Sequence, residues 1–119
     1  MREFEAKKPA STYIYAAGFS ALIPDGVTIT AKNVTVAVYD KSTVADASPS
    51  SMLTGAAALN AEASVIDFVN NPVGTAVLQK ITGGVEGAIY VVSFSATLSD
   101  GQILSEDVLL PVTKYEPTK

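Results

Sequence analysis

Ala88-Ile89-Tyr90-Val91-Val92-Ser93-Phe94-Ser95-Ala96-Thr97-Leu98 runs through Ser99-Asp100-Gly101-Gln102 into a second apolar run, Ile103 to Val112. Its side chains alternate. Tyr90, Val92, Phe94, Ala96 and Leu98 fall on one face, and Ile89, Val91, Ser93, Ser95 and Thr97 on the other. A period of two belongs to a strand with one buried face, not to a helix. Asp100-Gly101 between two such runs is a hairpin turn signal, because Asp-Gly suits the type I′ turn that joins twisted strands.

Working outward from this hairpin, the same texture recurs. Residues 75–81 (TAVLQKI) and 64–69 (SVIDFV) read as strands, the latter closed by Asn70-Asn71-Pro72. In the first half, Val27, Ile29 and Ala31 share one parity and Val34, Val36 and Val38 the other. Strands are expected over 27–31 and 34–39, with the register reset at Asn33. Pro24-Asp25-Gly26 is a turn signal, residues 12–15 (TYIY) form a short β-rich run, and residues 19–23 are expected to continue it past Gly18. Residues 40–63 differ: they are rich in Ser and Ala, lack alternation, and read as one long connection holding at most a helical turn. About seven strands and no long helix predict an all-β, antiparallel β-sandwich. Residues 1–10 read as an N-terminal arm, 11–112 as the sandwich, and 113–119 as a C-terminal tail.

The segment before the deciding strand adds detail. In immunoglobulin-like sandwiches a Tyr near the start of the penultimate strand returns its hydroxyl to the backbone a few residues upstream, and the residue two further on points into the core. Gly87, Tyr90 and Val92 stand at those places and form the candidate tyrosine corner, alongside the alternative of an ordinary strand tyrosine. The string Ile81-Thr82-Gly83-Gly84-Val85-Glu86-Gly87-Ala88-Ile89-Tyr90, with the Ser99-Asp100-Gly101-Gln102 turn and an apolar last strand, resembles the small immunoglobulin-like virion proteins of tailed bacteriophages. Tyr15-Ala16-Ala17-Gly18-Phe19-Ser20-Ala21-Leu22 followed by Asp25-Gly26-Val27-Thr28-Ile29 fits their first hairpin. The likeness covers both ends of the domain but not residues 40–63. It implies an immunoglobulin-like fold and a place in a virion, on head, tail or connector.

Composition excludes much chemistry. The 119 residues include no Cys, His or Trp. Disulfides and thiolate metal sites are therefore ruled out, as are Ser–His–Asp and Cys–His arrangements. Glu106 and Asp107 are neighbours in a strand and point to opposite faces, so they cannot share a substrate. Asp40 and Asp46 lack the spacing of a calcium loop. No catalytic residue, metal site or cofactor is expected. Between Pro9 and Val112 the only basic residues are Lys32, Lys41 and Lys80, against nine acids, which argues against direct nucleic-acid binding. No run approaches the ~20 apolar residues of a spanning helix, and the N-terminus lacks a secretory pattern, so synthesis in a host cytoplasm is expected.

What remains is interaction. Charged residues make up 17% of the chain and mean hydropathy is positive, well below the ~25% charge of an average domain. Such a surface predicts apolar partner contacts, with Tyr13 and Tyr15 as candidates, and sheet edges open to strand addition. The resulting expectation is a non-enzymatic virion protein that decorates or cements the capsid. It would contact the major capsid protein and further copies of itself, with no membrane and no cofactor. A tail or head–tail connector component and a carbohydrate-binding or adhesive module are the alternatives.

Overall fold

A computed structural model describes residues 2–66 and 68–113. The described residues form nine strands: β1 (Arg2–Glu3), β2 (Thr12–Gly18), β3 (Ile29–Val38), β4 (Leu53–Leu59), β5 (Ser64–Ile66), β6 (Val69–Asn71), β7 (Ala76–Thr82), β8 (Ile89–Leu98) and β9 (Ile103–Pro111). One sheet has the order β1-β9-β8-β3 and a second the order β2-β7-β4, while β5 and β6 form a separate hairpin. With that hairpin set aside, the two orders are those of an immunoglobulin sandwich: the last, penultimate and third strands make one sheet, and the second, fifth and fourth make the other. The protein is an all-β sandwich of this kind. The first strand departs from the constant-type pattern by running parallel beside β9.

The core follows from the alternation in β8. Tyr90, Val92, Phe94, Ala96 and Leu98 are buried, and the residues between them are half-buried. Val34 and Val36 of β3, Val108 and Leu110 of β9, Val77 and Ile81 of β7, and Ala17 of β2 complete the core with Phe19 and Met52.

Several expectations are corrected. The parity change in the first half does not come from the turn or bulge expected at Asn33. Residues 29–38 are one strand, and a bulge between Ile29 and Ala31 carries the register shift. Residues 19–23 do not extend β2; Ser20–Leu22 is a 3-10 turn that tucks Phe19 inward. The Ser/Ala-rich connection contains a second 3-10 turn, Pro49–Met52, and then strand β4. An isolated helix over those alanines would be marginal, whereas the open edge of β7 offers backbone partners that would otherwise go unpaired. Residues 64–69 are not one strand but most of a hairpin. Arg2 to Lys7, expected as part of an arm, is built into the sandwich: β1 pairs with β9, and Lys7 bridges Val112. Of the expected tail, residues 114–119 lie outside the described residues.

The hairpin turn at Asp100-Gly101 is also of a different type. Gly101 has φ 93° but Asp100 is not left-handed, so the type I′ turn is absent. The Gly101 N–H donates to Leu98 O (3.0 Å) and the Leu98 N–H to Gln102 O (2.8 Å). This is a three-residue loop with a glycine bulge. The Asp100 carboxylate accepts from the Gln102 N–H at 3.0 Å.

Candidate interaction site

Two groups of side chains hold the loops of this sandwich, and the second supports a hairpin whose tip exposes apolar side chains. The first group surrounds Tyr90. Its ring is fully buried. Its hydroxyl accepts a hydrogen bond from the Val85 N–H, five residues upstream, and donates to Asp46 Oδ2, both at 2.8 Å. The Gly87 N–H donates to Val112 O, and Val112 returns a bond to Ala88 O. Val92 is buried between Val36 and Val108 of the flanking strands. Lys7 is fully buried and donates to Gly83 O and Lys8 O, each at 2.6 Å. Gly84 has φ 103°, and a Cβ there would stand 2.8 Å from Val112 and 3.0 Å from Met52. The corner is thus tied to the N-terminal segment through Lys7 and to the long connection through Asp46. Burial raises the Tyr90 pKa, the Val85 bond opposes that shift, and Asp46 adds to it.

The second group anchors the β5–β6 hairpin. The amide nitrogen of buried Asn60 is shared among the carbonyls of Glu62, Asn71 and Pro72 at 2.9–3.1 Å. Asn60 Oδ1 accepts from the Thr75 and Ala76 N–H groups at 3.0 Å. Asn71, also buried, donates to Val69 O and accepts from the Ser20 N–H. Ser20 Oγ donates to Asn70 O. These bonds fix the base of the hairpin against the 3-10 turn at Ser20–Leu22.

The tip carries the exposed apolar residues. Ile66 pairs with Val69, and Phe68 stands in the turn between them. Phe68 is 101% exposed with φ 65°. Two-residue hairpin turns place Asn or Gly in this left-handed region because a bulky side chain is strained there, by on the order of 1 kcal/mol. Val65, Val69 and Val73 are exposed in the same segment, as is Leu22 on the adjoining turn. No signal in the sequence marks this site. Asp-Phe is not a turn dipeptide, and SVIDFV reads as continuous β.

The tyrosines expected as partner contacts are differently placed. Tyr15 packs on Phe4, ring centroids 4.7 Å apart, and Phe4 meets Phe94 in the core at 6.1 Å. Tyr13 is half-exposed and edge-on to Tyr15, with 82° between the rings. The pair offers no common flat platform. Arg2 lies over Phe4 and approaches Glu106 at 2.8 Å, which clamps β1 across this end of the sandwich.

Two of the sheet edges, β3 and β4, are guarded. Lys32, exposed on edge strand β3 in the same parity as Val34 and Val36, places a charge at that edge, which hinders strand addition. On edge strand β4, Gly55, Ala56 and Ala57 stand opposite Gln79 alone. The buried Gln79 amide donates to Thr54 O at 3.3 Å and Gly55 O at 3.1 Å, so those bulge carbonyls are already engaged.

Among the described residues, no three His, Cys, Asp or Glu side chains group as a metal site would require. No helix there is long and apolar enough to cross a membrane. Compared with protein-family models, with curated proteins and with solved structures, the chain finds no match in any of the three.

Proposed function

We propose that this chain is a non-enzymatic structural protein of a tailed-phage virion, mounted on the capsid shell as a decoration or cement protein. The observation that carries the reading is Phe68. A large apolar side chain stands wholly in solvent, at a backbone conformation that disfavours it, on a hairpin whose base is fixed by two buried asparagines. Such a residue weakens the isolated fold and gains only where a partner covers it. The acidic body suits contact with protein better than with nucleic acid. The sequence likeness to phage virion modules supplies the setting. Many weak contacts repeated by the symmetry of a shell would add to its stability through avidity.

The test is copy number in purified particles, together with their thermal rupture after the protein is depleted and restored. Copies in the hundreds and a rupture temperature recovered on addition support the cement role. Unchanged rupture refutes it, and about a dozen copies would place the module at a tail or connector instead. The carbohydrate-binding alternative loses its strongest support, since Tyr15 is occupied by Phe4 and Tyr13 stands edge-on to it.

A further inference from the structure

We infer that Asp25 is a site of spontaneous isomerisation to isoaspartate in the folded protein, and that the turn at Asp100 protects its own Asp-Gly pair from the same reaction. The chain contains two Asp-Gly pairs, Asp25-Gly26 and Asp100-Gly101, and no Asn-Gly. The reaction needs a backbone nitrogen to reach the carboxyl carbon of the preceding side chain. Glycine allows this best, because it has no Cβ to crowd the approach. By sequence the two pairs are equivalent. Both are exposed, both glycines have positive φ, and a Cβ on either would meet nothing within 4 Å. Space therefore does not separate them.

Hydrogen bonding does. At the second pair the nucleophile and the electrophile are both engaged. The Gly101 N–H donates to Leu98 O at 3.0 Å. The Asp100 carboxylate accepts from the Gln102 N–H at 3.0 Å and from the Gln102 side-chain amide at 3.1 Å. At the first pair, the Val27 N–H donates to Pro24 O at 3.1 Å and closes a turn whose glycine has φ 80°, as in type II. Among the described residues, nothing accepts from the Gly26 N–H and nothing holds the Asp25 carboxylate.

Water is the only co-reactant. The Gly26 nitrogen bonds to Asp25 Cγ and gives up its proton, while the carboxyl gives up a hydroxyl. One water leaves, and a five-membered succinimide closes. Water then opens the ring. Attack at Cγ restores Asp25, and attack at the Asp25 backbone carbonyl leaves Gly26 joined through the side chain. That product lengthens the main chain by one methylene and presents a free α-carboxylate, the group that an isoaspartyl-carboxyl methyltransferase esterifies. The change is confined to the turn, because Thr28 is clamped to Ser99 by bonds of 3.1 and 2.8 Å.

To test this, the full chain is incubated folded and, in parallel, unfolded in guanidinium chloride, until the unfolded sample carries isoaspartate at both positions. Peptide mapping by mass spectrometry locates succinimide by loss of water, and isoaspartate by resistance to the endoproteinase that cuts before Asp. In the folded protein Asp25 is expected to convert at least about tenfold faster than Asp100, whose three hydrogen bonds must open first. In guanidinium the two rates should converge. Asp25→Glu, whose ring would need six members, should remove the signal at position 25 and leave Asp100 as it was. Asp25 that stays intact in the folded chain overturns the inference, as does folded Asp100 converting as fast as Asp25. Either result leaves the virion reading untouched.

Discussion

Replacing Tyr90 by Phe removes one oxygen and leaves the ring in the core, so the loss can be worked from two hydrogen bonds. The bond from the Val85 N–H is between neutral groups and contributes about 1 kcal/mol. The bond to the Asp46 carboxylate is charge-assisted and falls in the range of about 1.5–3 kcal/mol. Val85 is 38% exposed and Asp46 is only partly covered, so water recovers part of both. The expected cost is therefore about 2–3 kcal/mol, a fall in Tm on the order of 6–12 °C for a domain of this length. Asp46→Ala should cost less, about 1–2 kcal/mol. The double variant should fall short of the sum of the two single losses by on the order of 1 kcal/mol. Urea unfolding with an unchanged m-value is the assay. A Tyr90→Phe variant within ~0.5 kcal/mol of wild type would refute the reasoning, as would strict additivity of the two changes.

The pH dependence gives an independent check. Burial, the largest cause, raises the Tyr90 pKa above its unfolded value; the Val85 bond opposes this and Asp46 reinforces it. The native state then holds the phenolic proton more tightly than the unfolded state, whose pKa is about 10. This contribution to stability is fully present below pH ~10 and is lost as pH rises through the folded pKa. Wild-type stability should fall more steeply in that alkaline window than the stability of Tyr90→Phe, with the remaining tyrosines a common background. Parallel curves would refute the assignment of the shift to Tyr90.

Three further outcomes are expected from chemical unfolding. Asn60→Ala strands the N–H of fully buried Ala76 and frees the base of the hairpin; it should cost about 2–4 kcal/mol, and a loss under ~1 would show that water replaces the amide. Gly84→Ala meets a left-handed backbone and a Cβ 2.8 Å from Val112, whereas Gly101→Ala meets a left-handed backbone in open space. The first should cost about 2–5 kcal/mol and the second about 1–2, and equal losses would contradict the crowding at Gly84. Phe68→Asn should leave the monomer as stable as wild type or more stable by on the order of 1 kcal/mol, and destabilisation would mean that Phe68 serves the fold.

The parts of the fold that could be read in the sequence are those where burial on one face imposes a period of two. β8 has five inward residues in register, so its alternation survives in the sequence alone. Tyr90 was legible for the same reason, because it begins that inward series after a run of turn residues. What escaped reading depends on backbone pairing instead. The alanines of β4 carry no alternation because a bulge breaks their register with β7, and the side chain that stabilises the bulge, Gln79, belongs to the other strand. β1 is two residues long and is held by its pairing with β9, which no local pattern encodes. Asn60 fixes the hairpin by contacts to residues 11–16 positions away, and a lone Asn after an alanine run looks like any loop residue.

These long-range ties bear on how the molecule meets others. Strand addition is the contact a sandwich most readily makes by accident, and two of its edges are closed by unlike means: an exposed lysine on β3, and a bulge filled by Gln79 on β4. β1, at the other end of the β3 sheet, is too short to template a partner strand, and Arg2 donates to Ala16 O of β2. A chain under selection only to remain a soluble monomer would be expected to blunt its apolar surface in the same way. Instead an exposed Phe stands at the turn of a hairpin anchored at its base, where Asn or Gly would relieve the backbone. Under the proposed function, the guarded β3 and β4 edges leave the exposed apolar tip as the surface offered to a partner. A contact through such a side chain would set a fixed geometry between neighbours, which the proposed place in a symmetric shell requires and open-ended strand pairing does not provide.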